Sequence, residues 1–203
     1  MSSASRIDQK KTSKQGLDNP CDAHSLERLF RQTFYQDYLT VLQGGMDEPL
    51  YQPATQVGEP HRLYYREDFV SSALHEIAHW CIAGEMRRRR VDFGYWYIPD
   101  GRNQQQQKTF ESVEVKPQAL EWLFSEAAGV KFHFSVDNLS GSGQASSWFI
   151  GAVTQQAACW CVAGLPERAA MFIDALIGQY GTEGCLDPAR YSHHQLSAAE
   201  PIS

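Results

Sequence analysis

Two histidines and an acid, His75-Glu76-Ile77-Ala78-His79, are the residues of this 203-residue chain whose types and spacing point most directly to chemistry. Four residues advance about 400° around a helix, so His75 and His79 share one face and can hold one metal ion between them. Glu76 completes the pattern H-E-x-x-H, in which an acid beside the ion can act on metal-bound water; it is the candidate catalytic residue. Ala73, Leu74, Ile77, Ala78, Trp80, Ile82 and Ala83 make the segment apolar nearly all round, which predicts a buried helix. Buried imidazoles need partners, and either a metal ion or a set of backbone and carboxylate hydrogen bonds would supply them.

Two imidazoles alone do not make an open catalytic site, and a carboxylate would complete a facial triad. Three acids compete. Glu85 follows Gly84, ten residues after His75, and reaches the ion only if the helix breaks there; in a continuing helix it lies about 15 Å along the axis from His75 and pairs with Arg88 or Arg89. Glu111 and Glu114 arrive from a separate segment. Glu114 ranks first because Val113 and Val115 flank it, and a carboxylate without a cation is costly there; its alternative role is a helix-entry acid held by amide donors.

The elements that would position these groups follow from periodicity. Leu26, Leu29, Phe30, Phe34, Tyr38, Val41 and Leu42 predict a helix capped by Ser25 and stopped at Gly44-Gly45. Prolines 49, 53 and 60 predict a looping connection, and His61 to Tyr65 a short strand. After the histidine helix, Arg87 to Arg90 read as a charged helix end. Val91 to Ile98 read as a strand whose Tyr95, Trp96 and Tyr97 could line a pocket. Arg102 to Lys108 read as a polar loop or flap, Phe110 to Val115 as a strand running into a helix that Pro117 opens and Gly129 ends. Lys131 to Val136 alternate like an edge strand, and His133 is an ordinary surface or half-buried residue. Ser140 to Ser147 read as a loop, and Trp148 to Val162 and Pro166 to Tyr180 as helices parted by Gly164.

Composition bounds the rest. Length suits one well-cored domain at 23–181, with a disordered tail at 1–22 and an irregular one at 182–203 that carries the solvent-exposed pair His193-His194. Eighteen basic against 24 acidic residues give a charge of −6, which argues against direct binding to nucleic acid or an anionic membrane and suits a cationic partner. No apolar run is long enough to span a membrane and the polar start lacks a signal-peptide core, so a cytoplasmic location is expected. Five cysteines in no zinc-ribbon spacing suggest reduced thiols, and Cys159-Trp160-Cys161 suggests packing.

Three separated segments, HEIAHWCIAGE, VDFGYWYIPDGR and VEVKPQALEWLF, together resemble the elongation factor P hydroxylase family (EpmC/YfcM) over roughly Leu26 to Tyr180. The resemblance implies an α+β fold, a single domain with a small mixed sheet packed by helices, zincin-like and similar in outline to the metal-dependent ribonuclease YbeY. It implies oxygen-dependent hydroxylation of the β-lysylated lysine of elongation factor P at a non-haem iron site. His75 and His79 match the motif's histidines and Glu114 is matched to its carboxylate. Fe(II) suits such chemistry where zinc, having no redox change, does not; dioxygen is the co-substrate and any organic co-substrate is unassigned. Glu76 is then no ligand, with orienting a water, fixing an imidazole or contacting the substrate amine open to it. The rival readings are a zinc metallopeptidase with Glu76 as general base, a metal-dependent ribonuclease, and a binding module with structural histidines.

Overall fold

The computed structural model describes residues 20–92, 102–135 and 145–192. Helix α1 spans Ala23–Tyr38 and its cap is Asp22, whose side chain accepts the Ser25 N–H at 2.6 Å, rather than Ser25 itself. Leu26, Leu29, Phe30 and Phe34 form its buried face. The helix does not run on to Gly44-Gly45: Leu39, at φ 45°, ends it in the left-handed region, and Thr40–Met46 is strand β1. Thr40 and Leu42 are buried on one face of that strand. A period of two and a helical period both accommodate so short an apolar run, and sheet pairing decides between them.

A second strand, β2 at Leu50–Gln52, lies within the segment expected to loop, and β3 occupies His61–Arg66 as the sequence predicts. The sheet order is β1-β3-β2, with β1 parallel and β2 antiparallel to β3. Gly44 is required where β1 crosses its neighbour, because a Cβ there would sit 2.6 Å from the Glu67 carbonyl oxygen and 2.7 Å from the Tyr65 ring. Glu27 ties α1 to this point, accepting from the Gly44 N–H at 2.8 Å and the Tyr65 hydroxyl at 3.1 Å.

Helix α2 spans Val70–Ile82 and buries Ala73, Leu74, Ile77, Ala78, Trp80 and Cys81. Beyond it, a 3-10 turn at Arg87–Arg89 carries the basic run. Arg87 pairs with Asp92 and Arg89 with Glu85, while Arg88 donates to the Ala83 carbonyl, so of the run expected to end the helix Arg88 is the arginine that reaches its last carbonyls. Asp92 bridges Tyr51; the rest of the expected 91–98 strand, with Tyr95, Trp96 and Tyr97, lies outside the described residues.

The largest departure from expectation is α3, a single helix of 25 residues over Gln104–Ala128. It replaces a polar flap, a strand and a shorter helix. Asn103 and Gln106 form a reciprocal capping box at its start, and the Gln, Glu and Lys residues that made the segment look like a loop are good helix formers. Pro117 lies inside the helix. It forfeits one backbone hydrogen bond and crowds the Val113 carbonyl, a cost of about 3 kcal/mol. Packing along α2, α4 and α5 offsets that cost. Gly129, in the left-handed region, ends the helix as expected.

Residues 131–135 are not a strand. The Gln118 side chain satisfies Ser135 in both directions, donating to its carbonyl at 2.7 Å and accepting its N–H at 3.2 Å, as a neighbouring strand would. His133 is exposed. Helices α4 (Ser147–Ala163) and α5 (Glu167–Tyr180) match the sequence reading closely, with Gly164 between them. Phe30, Phe34, Trp80 and Phe172 form one aromatic cluster that joins α1, α2 and α5. After α5 the chain still packs: Tyr191 meets Trp122 edge-on with ring centroids 5.1 Å apart, and Arg190 pairs with Glu126. All five cysteines are free thiols. The described residues thus form one α+β domain of five helices and a three-stranded mixed sheet, and no helix among them is long and apolar enough to cross a membrane. His193-His194 and residues 1–19 fall outside the described residues.

Candidate metal centre

Helices α2 and α3 pack against each other, and the facing sides carry the chemistry. The Nε2 atoms of His75 and His79 stand 3.0 Å apart. Glu114 reaches in from α3, with Oε2 3.5 Å from His75 Nε2 and Oε1 3.4 Å from His79 Nε2. Among the described residues this trio is the one grouping of His, Cys, Asp or Glu compact enough to hold a metal ion.

The trio fits a divalent ion on three grounds. Ligands about 2.1 Å from one ion stand about 3.0 Å apart at a right angle and about 3.4 Å apart at the tetrahedral angle, close to the separations found. Two imidazole nitrogens face each other across a distance where a hydrogen bond uses only one lone pair, while a cation uses both. Glu114 Oε2 is buried and accepts no hydrogen bond among the described residues, a costly arrangement unless a cation is near.

Behind the trio, His75 Nδ1 lies 2.8 Å from Glu121 Oε2. An N–H donated from Nδ1 to this carboxylate leaves the Nε2 lone pair facing His79 and Glu114, as metal-binding histidines require. Burial opposes a charge on His75, but the hydrogen bond and charge of Glu121, with Glu114 and Glu76 behind, outweigh it and push its pKa up to about 10. Burial also acts on Glu114, yet His79 and His75 hold its carboxyl below the usual range. Burial pushes Glu121 and Glu76 upward. Three carboxylates around two imidazoles leave surplus negative charge, which a dication would neutralise.

Of the other acids weighed for the third position, Glu111 is buried elsewhere, accepting from the N–H of Ser146 at 3.2 Å and its hydroxyl at 2.6 Å at the start of α4. Glu85 is exposed beyond the end of α2 and pairs with Arg89. The helix does stop near Gly84, but Glu85 turns outward. Glu76 lies beside the trio on α2 and lines a cavity with His79.

Two functional residues escaped the sequence reading. Glu121 is seven residues, two helical turns, past Glu114 and on the same face. That signal was hidden by opening the helix at Pro117, which put the two acids on different elements. Arg168 on α5 is buried and donates from Nη2 to the carbonyls of Cys81 at 2.9 Å and Ala83 at 2.6 Å, clamping the end of α2. Its guanidinium carbon stands 4.6 Å from the centre of the Trp80 ring. No pattern around Arg168 distinguishes it from a surface arginine of an amphipathic helix.

Fold and cluster together define an α+β protein whose packed helices α2 and α3 present a two-histidine, one-carboxylate donor set. The chain belongs to the elongation factor P hydroxylase family, whose model matches residues 29–191. It is also 46% identical over 171 residues to the elongation factor P lysine hydroxylase of Haemophilus influenzae, covering 83% of this chain and 96% of that one. The match reaches Tyr191, so the segment after α5 belongs to the shared body. Neither comparison supports the zinc-peptidase alternative.

Proposed function

We propose that this protein hydroxylates the β-lysylated lysine of translation elongation factor P, using Fe(II) held by His75, His79 and Glu114. The observation that carries the proposal is the convergence of those three donors in a member of this family. Fe(II) in such a set supplies dioxygen activation, which leaves one oxygen atom in the substrate as hydroxyl and the other as water, at the expense of two electrons from a reductant. The chain's own part is positional. Glu121 fixes the His75 ring and its tautomer, and Arg168 holds the end of the helix that carries both histidines. The walls of α2 and α3 keep the donor set largely out of water. A translation factor as substrate supports a cytoplasmic location.

Intact-mass analysis of β-lysylated elongation factor P after incubation with the protein, Fe(II), ascorbate and air tests this reading. Addition of one oxygen atom, absent without iron or without air, is the expected result; an unchanged mass under all conditions overturns it.

A further inference from the structure

Glu76 is the acid that neither the donor set nor the packing explains. It lies on α2 between the two histidines, and among the described residues it makes no hydrogen bond and no ion pair. It lines a cavity of about 30 Å³ with Tyr51, Leu63, His79, Trp80 and Ala83, and the charged Arg87, Arg88 and Asp92 complete the wall. A cavity of that size accepts a single small polar group. Of the other charged residues on its wall, Arg87 forms an ion pair with Asp92, and Arg88 donates to the neutral Ala83 carbonyl. Among the described residues, Glu76 is thus the acid on that wall without an ion-pair partner.

A half-buried carboxylate without a partner among the described residues, beside the Tyr51 and Trp80 rings, suits an alkylammonium. The ammonium pairs with the acid, and the methylene stem lies against Trp80, Tyr51 and Leu63. Tyr51, Trp80 and Arg88 also line a larger surface hollow of about 410 Å³. His79 lines the small cavity too, so an ammonium held at Glu76 places the adjoining methylenes beside the donor set.

We infer that Glu76 is the anchor for an ammonium group of the substrate lysine and thereby sets which methylene meets the metal. This rests on the hydroxylase reading above, which names the substrate. Glu76 then contacts substrate without ligating the ion, and Glu76→Gln, which keeps its shape and removes its charge, isolates that role.

The experiment is anaerobic calorimetric titration of β-lysylated elongation factor P into Fe(II)-loaded wild type, Glu76→Gln and Glu76→Asp, with the Fe(II) affinity of each measured separately. The wild type is then exposed to air with ascorbate and the factor weighed. Glu76→Gln is expected to keep Fe(II) affinity within about twofold and to bind the modified factor about tenfold or more weakly, with Glu76→Asp between. Unchanged binding by Glu76→Gln overturns the inference and leaves Glu76 holding a water; loss of Fe(II) overturns it in favour of a role at the ion. A wild type that binds the modified factor in a Glu76-dependent way but adds no oxygen refutes the hydroxylase reading and leaves the anchor standing. A wild type that does not bind the factor overturns both.

Discussion

His75 and Glu121 are joined by a 2.8 Å contact between Nδ1 and the carboxylate, two helical turns along α3 from Glu114. The contact aims one imidazole from behind while Glu114 meets it in front. One helix thus supplies both the third donor and the group that orients the first.

Removing that support should weaken metal binding without moving a ligand. Glu121→Gln can still accept the Nδ1–H through its amide oxygen but has no charge, and Glu121→Ala leaves the ring unsupported. Fe(II) affinity should fall by about tenfold for the first and nearer about 100-fold for the second. Competition against a metallochromic chelator measures both, and equal affinities in all three proteins would show Glu121 to be a packing residue.

The three acids weighed for the third position should separate by readout. Glu114→Ala should lose Fe(II) and stay folded. Glu111→Ala should keep Fe(II) and lose about 1–3 kcal/mol of stability, because Ser146 at the start of α4 loses its partner. Glu85→Ala should change neither beyond about 0.5 kcal/mol, its pair with Arg89 being exposed. Metal content after dialysis and urea midpoints decide the pattern.

Arg168 should matter to stability because it is buried and clamps the end of α2. Arg168→Met fills similar space but leaves the Cys81 and Ala83 carbonyls without its donors at the end of α2. A loss of about 2–4 kcal/mol is expected in urea denaturation. Arg168→Lys should recover part of it, since an ammonium can still answer a helix C-terminus. A methionine variant as stable as wild type would mean that Arg88 suffices at Ala83.

Acid should weaken the fold at one end of the central strand, β3. His61 Nδ1 accepts the Ala54 N–H at 2.8 Å and so is unprotonated in the fold. Burial, followed by the charge of Arg88, lowers its pKa below the ordinary 6.5. The unfolded chain therefore binds this proton at a higher pH than the folded one. The stabilisation is complete above about 6.5 and is lost as pH falls below it toward the lowered folded value. Urea midpoints measured between about pH 7.5 and pH 5 should drop less in His61→Asn, whose amide oxygen can accept the same N–H without titrating. Parallel pH slopes would assign the acid sensitivity to other groups.

The sequence by itself determined the chemistry-bearing helix, since four-residue spacing puts His75 and His79 on one face whatever surrounds them, and it determined α4 and α5, whose apolar periods run long between clear stops. It singled out Glu114 by the cost of an unpaired carboxylate between valines. What tertiary structure decided was where short or ambiguous stretches went. Thr40–Met46 became a strand because β3 lay alongside it, and Gln104–Ala128 became one helix through Pro117 because packing on three neighbours outweighed a lost hydrogen bond. That continuity put Glu121 behind His75, turned Glu111 toward Ser146 and left Glu76 lining a cavity. Spacing along one helix is local geometry and can be counted; which acids of a second helix face the first depends on register between elements distant in sequence, and only packing sets that.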